Sequence, residues 1–301
     1  MKRPALLVKL GSNPYLLLIF TMVMWSANGI AGRLAIGEIS PMVIVSMRWF
    51  LASVLLFTLF RPQIAKDWQV LKHHLWLVAV GGIFGFAAFN ALFYLAAHHT
   101  SGVNMTILQG SLPIFVLLGA TVVYRVGTTP LQWIGISLTL AGVTMVASQG
   151  SFATLLTLSF NLGDIWLVAA CVMYAVFTLS LRHRPNVSGI GFFAILAVAA
   201  FVASIPLIGW EMASGDTQWP TIRGWELLAF ITLGPSLLAQ LFFLRAVDLI
   251  GPSRASVFTN LVPIFGPMIA IIVLGEAFHP YHAVALIFVL SGIGLAEWRR
   301  T

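Results

Sequence analysis

The apolar residues of this chain come in blocks of about 20, and that block length is the feature that most restricts its fold. A helix needs about 20 apolar residues to cross a hydrocarbon core about 30 Å thick. Short alternating segments, which are typical of membrane β-barrels, are absent. We therefore predict an all-α membrane protein with ten spans at 14–34, 41–60, 74–97, 101–124, 130–148, 162–182, 189–210, 225–248, 252–274 and 281–298.

Composition supports a membrane location. Hydrophobic residues make up 59% of the chain and charged residues 8%, whereas a soluble domain carries about 25% charged residues. The net charge of +7 is spread over the connections between spans. It does not form the clustered basic face that nucleic-acid binding requires, so we expect no nucleic-acid partner.

The positions of the basic residues predict the orientation of the chain. Most lysines and arginines, including Lys2, Arg3 and Lys9, fall on one side of the predicted spans. That side is cytoplasmic by the positive-inside rule. The first block is too long for a signal peptide and lacks a clear cleavage site. We therefore expect a multi-pass protein of the bacterial inner membrane, surrounded by lipids, with both termini in the cytoplasm.

An internal repeat becomes visible when the chain is compared with itself at a shift of 150 residues. Pro113-Ile114-Phe115 then falls on Pro263-Ile264-Phe265, and Gly142 falls on Gly292. We therefore predict two halves of five spans each, 1–150 and 151–301. Because five is an odd number, the second half would enter the membrane from the opposite side. Inverted repeats of this kind are a common plan of secondary transporters.

Several motifs also resemble a known family. They are Met47-Arg48-Trp49-Phe50-Leu51-Ala52, the two Pro-Ile-Phe segments, Leu274-Gly275-Glu276 and Leu290-Ser291-Gly292-Ile293. These motifs resemble EamA-type members of the drug/metabolite transporter superfamily, and most of all the bacterial aromatic amino-acid exporters. The resemblance implies a ten-helix exporter of amino acids or other metabolites. The first half has Tyr124-Arg125-Val126 at the position of Leu274-Gly275-Glu276, so any role of the family's acid passes to Glu276 alone.

Deep polar side chains indicate where a substrate would bind, because such groups within a span face the protein interior or water. Asn90 in the third span falls on Gln240 in the eighth at the 150 shift. The remaining deep amides lie in the first, fourth and ninth spans. The candidate cavity residues of this type are Asn28, Asn90, Gln109, Gln240 and Asn260. The alternative is that these amides hydrogen-bond between helices as packing contacts.

Aromatic side chains share helices with these amides. Trp25, Tyr94, Tyr174 and Phe177 are candidates for stacking on an aromatic or apolar substrate, and core packing is the alternative for each. Arg48 lies about 10 Å into the second span at 1.5 Å per residue. It could bind a substrate carboxylate, take part in a gate, or extend to the membrane interface.

Pro113 and Pro263 lie within the fourth and ninth spans. Proline removes a backbone donor and crowds the preceding turn, so each residue predicts a helix kink. The kink would be either a fixed bend or part of a moving gate.

The sequence offers no obvious carrier for a buried proton relay. No Asp or Glu lies at the middle of a span, and the histidines fall at or beyond span ends. We therefore expect facilitated diffusion or exchange. No phosphate-binding loop, metal-ligand cluster or nucleophile–base pair is found. We accordingly predict no cofactor, no metal and no enzyme activity.

These observations favour an exporter of small amphipathic metabolites, with aromatic or other apolar amino acids first among the substrates. The alternative within this class is a multidrug or other metabolite exporter. An alternative of another class is a scaffold or lipid-handling membrane protein. No clear stripe of small residues marks a dimer face, so we expect a monomer.

Overall fold

The computed structural model describes residues 13–125, 127, 129–151, 161–251, 254–255 and 258–297. These ranges are helical and contain no strand, which confirms the all-α prediction. Within these ranges, eight helices are long and apolar enough to cross a membrane, and two further apolar helices, the last two, are shorter. We number them α1 (Pro14–Leu34), α2 (Pro41–Leu71), α3 (Leu75–Ala97), α4 (Gly102–Tyr124), α5 (Pro130–Ala147), α6 (Leu162–His183), α7 (Gly189–Ser214), α8 (Ile222–Ile250), α9 (Phe258–Leu274) and α10 (Pro280–Glu297).

The main departure from the predicted boundaries is in α2. The predicted span ends at residue 60, but the helix continues to Leu71 after a bend at Phe60, whose φ is −126°. Pro62 follows the bend and accounts for it, because proline removes a helical hydrogen bond and crowds the preceding turn. Helix starts are better signalled by the sequence. At α5, for example, Thr129 and Gln132 form a capping box in front of Pro130.

Secondary structure follows the same 150-residue shift as the sequence. A wide, π-helical segment occupies Gly81–Ala88 of α3, and another occupies Thr232–Leu238 of α8. The second segment of α4, Leu112–Tyr124, corresponds residue for residue to Val262–Leu274 of α9. The bounds of α5 and α10 also differ by 150. π-helical turns are rare and concentrate at functional sites. The matching pair in α3 and α8 therefore indicates that a functional site lies at this level of the bundle.

Helices from the two parts of the chain interleave. The packed pairs include α5 with α10, α2 with α7 and α4 with α9, and each pair joins helices related by the 150-residue shift. Glycine permits the closest approaches. A Cβ on Gly292 of α10 would lie 2.5 Å from the Gly135 carbonyl oxygen of α5, and a Cβ on Gly110 of α4 would lie 2.9 Å from the Pro263 ring.

Candidate functional site

A cavity of about 180 Å³ lies at the centre of the bundle. Its walls come from α1–α4 and α6–α9, whereas α5 and α10 do not contribute. It is lined by Trp25, Asn28, Arg48, Trp49, Gly85, Phe86, Phe89, Asn90, Gln109, Gly110, Leu112, Pro113, Tyr174, Phe193, Pro235, Ser236, Gln240, Thr259, Asn260 and Val262.

Many lining residues are partners under the 150-residue shift. The pairs that line the cavity together are Gly85 and Pro235, Phe86 and Ser236, Asn90 and Gln240, Gln109 and Thr259, Gly110 and Asn260, and Leu112 and Val262. Positions 150 residues apart therefore line one space. All five candidate amides, Asn28, Asn90, Gln109, Gln240 and Asn260, line this cavity.

Irregular backbone surrounds the cavity. The first segment of α4 ends at Gln109, and a new segment begins at Leu112 with Pro113 in its first turn. In α9 a 3₁₀ turn, Phe258–Leu261, comes before a segment with Pro263 in its first turn. Each proline therefore starts a helical segment, where its missing N–H costs nothing. The interruption lies immediately before the proline, so the expected kink takes the form of a helix break.

Arg48 is buried at the cavity wall and is only 4% exposed. Its Nη1 donates to Asn90 Oδ1 at 2.7 Å and to the Tyr94 hydroxyl at 2.6 Å. Its Nε and Nη2 both donate to Ser236 Oγ, at 3.0 Å and 2.6 Å. The guanidinium also lies 4.9 Å from the centre of the Trp49 ring. Of the three interpretations of Arg48, extension to the interface is excluded by this geometry.

The acceptors around Arg48 are held in a fixed orientation. Asn90 Nδ2 donates to the Phe86 carbonyl at 2.6 Å, which turns Oδ1 of the same amide towards Arg48. The Tyr94 hydroxyl donates to Asn28 Oδ1 at 2.8 Å. The Ser236 hydroxyl donates to the Ile231 carbonyl, five residues earlier in the π-helical region, at 2.6 Å. All three groups therefore present only lone pairs to the guanidinium.

The four candidate aromatic residues divide into two groups. Trp25 and Tyr174 line the cavity, and each also packs on a phenylalanine, Trp25 on Phe243 at 5.3 Å and Tyr174 on Phe89 at 5.2 Å. Tyr94 and Phe177 are buried behind the wall. Tyr94 positions Arg48, and Phe177 packs edge-on against Tyr174. Trp25 and Tyr174 are therefore the two candidates whose rings can stack on a substrate in the cavity.

Some lining residues were missed by sequence reasoning. Ser236 follows a Gly-Pro pair in α8 and is the Arg48 partner from the second half of the chain. Trp49 lies next to Arg48, and its buried Nε1 has no hydrogen-bond partner. The Gln109 Oε1 atom is also buried without a partner. The sequence signal for Ser236 is its polarity at mid-span depth.

Polar contacts join the two halves at one end of the bundle. Glu276, just after α9, accepts hydrogen bonds from the backbone N–H groups of Gly102 and Val103 at 2.8 Å and 2.9 Å. It also lies 3.8 Å from Arg33 Nε, and Arg33 Nη1 donates to the Ala97 carbonyl at 2.6 Å. A carboxylate at the N-terminus of α4 is favourable because of the helix dipole and the free N–H groups there.

A second buried polar cluster lies at the same end. Asp164 accepts from Thr100 at 2.5 Å, and Asn104 Nδ2 lies 3.5 Å from both carboxylate oxygens. His282 Nδ1 accepts from the His279 backbone N–H, so its Nε2 donates to Asn104 Oδ1 at 3.0 Å. Among the described residues the buried acids are Asp67, Asp164 and Glu211, and none of them lines the cavity.

Comparison with known proteins identifies one family. The model of the EamA-like transporter family matches the chain twice, over residues 12–148 and 161–297. The chain is 28% identical over 290 residues to "Uncharacterized transporter YyaM" of Bacillus subtilis, which covers 93% of this chain and 92% of that protein. It is 22% identical over 271 residues to "Uncharacterized inner membrane transporter YedA" of Escherichia coli K12, covering 88% of this chain and 84% of that protein.

A crystal structure provides a comparison of the fold. It is 15% identical in sequence and superposes with a TM-score of 0.63, covering 95% of this chain and 96% of the other. At this identity the likeness concerns the fold alone.

Proposed function

Since the chain belongs to the EamA-like transporter family, we propose that it is a secondary transporter that exports small metabolites across the bacterial inner membrane. The observation that carries this proposal is the central cavity, which is lined by equivalent residues of two interleaved halves. A site on the axis between two halves is accessible from either side when the halves exchange conformations. The transported molecule would bind there and leave on the opposite face.

The proposed topology has ten spans in two inverted halves, with both termini in the cytoplasm. The shared 150-residue shift of the π-helical segments and of the helix breaks supports the two halves. The two separate family matches, one within each half, support the same division. The distribution of basic residues supports the orientation.

Amino acids, aromatic or otherwise apolar, are the proposed substrates. The cavity wall combines a cation, several amides and the rings of Trp25 and Tyr174. Amide and charged groups suit the polar end of an amino acid, and the rings suit an apolar side chain. No acidic residue among the described residues lines the cavity, which supports facilitated diffusion or exchange over proton-driven transport.

Uptake into proteoliposomes of the purified protein tests the proposal. A panel of labelled amino acids would be supplied with and without an imposed pH gradient. We expect saturable flux of at least one aromatic or apolar amino acid without the gradient. If none of them moves while lipophilic drugs or other metabolites do, the substrate class is wrong and the multidrug alternative replaces it.

Lipid handling is a second candidate function, because one groove favours it. The groove measures about 440 Å³ and lies between α2, α3 and α7, with Arg61 and Trp68 among mainly apolar side chains. An apolar groove with a basic residue at the interface fits an anionic phospholipid. Movement of a fluorescent phospholipid between leaflets, with no amino-acid flux, would favour this function over export.

A further inference from the structure

Arg48 is a buried cation without a buried anion. In the part of the chain that the structure describes, no Asp or Glu lies within ion-pair distance of its guanidinium. All of its hydrogen-bond partners, Asn90, Tyr94 and Ser236, are neutral. An arginine side chain stays protonated in proteins, and a buried charge is costly unless an opposite charge accompanies it. The cavity that Arg48 lines is therefore suited to an anionic group.

One N–H donor of the Arg48 guanidinium is left without an acceptor among the described residues. A guanidinium has five N–H donors, and the contacts to Asn90, Tyr94 and Ser236 engage four of them. The remaining donor is on Nη2 and has no acceptor among the described residues. Next to it in sequence, Trp49 has a buried indole N–H without a partner. Indole nitrogen is only a donor, and none of the described residues supplies an acceptor for it.

The opposite polarity occurs elsewhere on the cavity wall. Gln109 Oε1, on α4, is a buried acceptor without a partner, and Gln109 lines the same cavity as Arg48 and Trp49. An amide oxygen accepts hydrogen bonds from ammonium or N–H groups. The wall thus offers unmatched donors with a positive charge on α2 and an unmatched acceptor on α4.

We propose that the substrate is an amino carboxylate whose carboxylate binds Arg48 and Trp49 and whose amino group binds Gln109. The inference rests on the proposed function, since it concerns the substrate of the same central cavity. It goes further by assigning each end of the substrate to named residues. It also requires that molecules lacking the carboxylate bind poorly, which a multidrug pocket does not require.

Binding can be tested without transport. Ligand-induced thermal stabilisation of the purified protein would be measured with the twenty amino acids. For the tightest binder, its carboxamide and its decarboxylated amine would then be compared with the free acid. A hydrogen bond to a charged group is stronger than one between neutral groups. We therefore expect the free acid to bind at least about 10-fold more tightly than either analogue. Equal binding of the carboxamide would overturn the inference, and this comparison requires no variant.

Variants assign the two ends. Arg48→Gln removes the charge, and Trp49→Phe keeps a ring against the guanidinium but removes the indole N–H. We expect both to reduce the preference for acid over carboxamide, Arg48→Gln to within about 2-fold. Gln109→Leu should instead weaken binding of the amino acid and leave binding of the corresponding acid without the amino group nearly unchanged. Arg223→Gln, at an exposed residue outside the cavity, is the matched charge control and should keep the full preference.

The outcomes separate this inference from the proposed function. A protein that binds free acids selectively but moves none of them contradicts transport and leaves the carboxylate site standing. A protein that transports carboxamides as well as acids contradicts the site and leaves transport standing. If no amino acid, and neither benzoate nor 3-phenylpropionate, stabilises the protein, the carboxylate site is wrong. Arg48→Lys retains the charge and should keep part of the acid preference if Arg48→Gln fails to fold.

Discussion

Asn90 Oδ1 accepts a hydrogen bond from Arg48 Nη1 at 2.7 Å, and this contact connects α3 to the single cation on the described cavity wall. Asn90 therefore acts on the site in two ways, because it faces the cavity and holds the guanidinium. Its partner at the 150-residue shift, Gln240, also lines the cavity but is not among the hydrogen-bond partners of Arg48. The two amides occupy equivalent positions and have different roles.

The first prediction concerns this pair. We expect Asn90→Ala to lower kcat/KM for transport about 10-fold, since it removes an acceptor from a buried charged group. Gln240→Ala should lower kcat/KM about 3-fold, because a hydrogen bond from this amide to a neutral group of the substrate is weaker than one to a charged group. Initial rates in proteoliposomes measure both. Gln69→Ala, at an exposed amide, is the control. Wild-type kinetics in both cavity variants would remove the pair from the binding site.

The second prediction concerns helix packing. An alanine at Gly292 would place its Cβ 2.5 Å from the Gly135 carbonyl oxygen of α5. Overpacking of this kind costs about 1–3 kcal/mol, so we expect Gly292→Ala to lower the thermal unfolding temperature in detergent. Gly294→Ala lies on the same helix with no atom within 4 Å of the new Cβ. Equal unfolding temperatures for the two variants would contradict the packing of α5 against α10.

The third prediction concerns Glu276. Its carboxylate accepts from two backbone N–H groups at the start of α4. Replacement by glutamine leaves one acceptor oxygen and removes the charge that the helix terminus favours. We expect Glu276→Gln to destabilise the protein by about 1 kcal/mol. Glu226→Gln, at an exposed acid, should have no measurable effect in the same unfolding assay. An equal loss of stability in both variants would show that the contact of Glu276 with α4 does not stabilise the protein.

The fourth prediction concerns proton coupling. An imposed pH gradient should not drive accumulation of substrate beyond equilibrium, because no acidic group of the described residues lines the cavity. Asp164 is a fully buried carboxylate that hydrogen-bonds to Thr100, and Asp164→Asn should leave this independence intact. Gradient-driven accumulation in the wild type that Asp164→Asn abolishes would identify Asp164 as a proton carrier and refute facilitated diffusion.

The fifth prediction concerns topology. Lys72, just before α3, and Ile222, the first residue of α8, are exposed and lie 150 residues apart. In inverted halves these positions lie on opposite faces of the membrane. With the buried Cys171 replaced by alanine, a membrane-impermeant maleimide should label Lys72→Cys only in inside-out vesicles and Ile222→Cys only in right-side-out vesicles. Labelling from the same face would rule out inverted halves.

The sequence was most informative where the physics is local or periodic. Span length follows from membrane thickness, and the 150-residue shift pairs Asn90 with Gln240. Because the helices of both halves converge in the same register, the deep amides predicted separately now line one cavity. These features depend on spacing along the chain, which a single sequence contains.

Side-chain direction was harder to predict. A π-helical turn adds a residue to the helix and rotates all that follows, so the faces of Tyr94 and Asn90 after Gly81–Ala88 do not follow from a regular 3.6-residue period. The environment of Arg48 depends on Ser236, which is 188 residues away in sequence. No spacing rule links those two residues. The sequence also predicts Phe177 as a stacking residue, whereas in the structure it packs behind the wall against Tyr174.

The partners of Arg48 belong to both halves of the chain, with Asn90 and Tyr94 on α3 and Ser236 on α8. Sliding α8 past α3 must therefore break at least one bond to the guanidinium. In the empty protein the broken bond leaves the Arg48 guanidinium with one hydrogen-bond partner fewer. In the loaded protein the bound anion compensates for the lost bond. We therefore expect the loaded carrier to reorient faster than the empty one, the kinetic condition under which one-for-one exchange outpaces net flux.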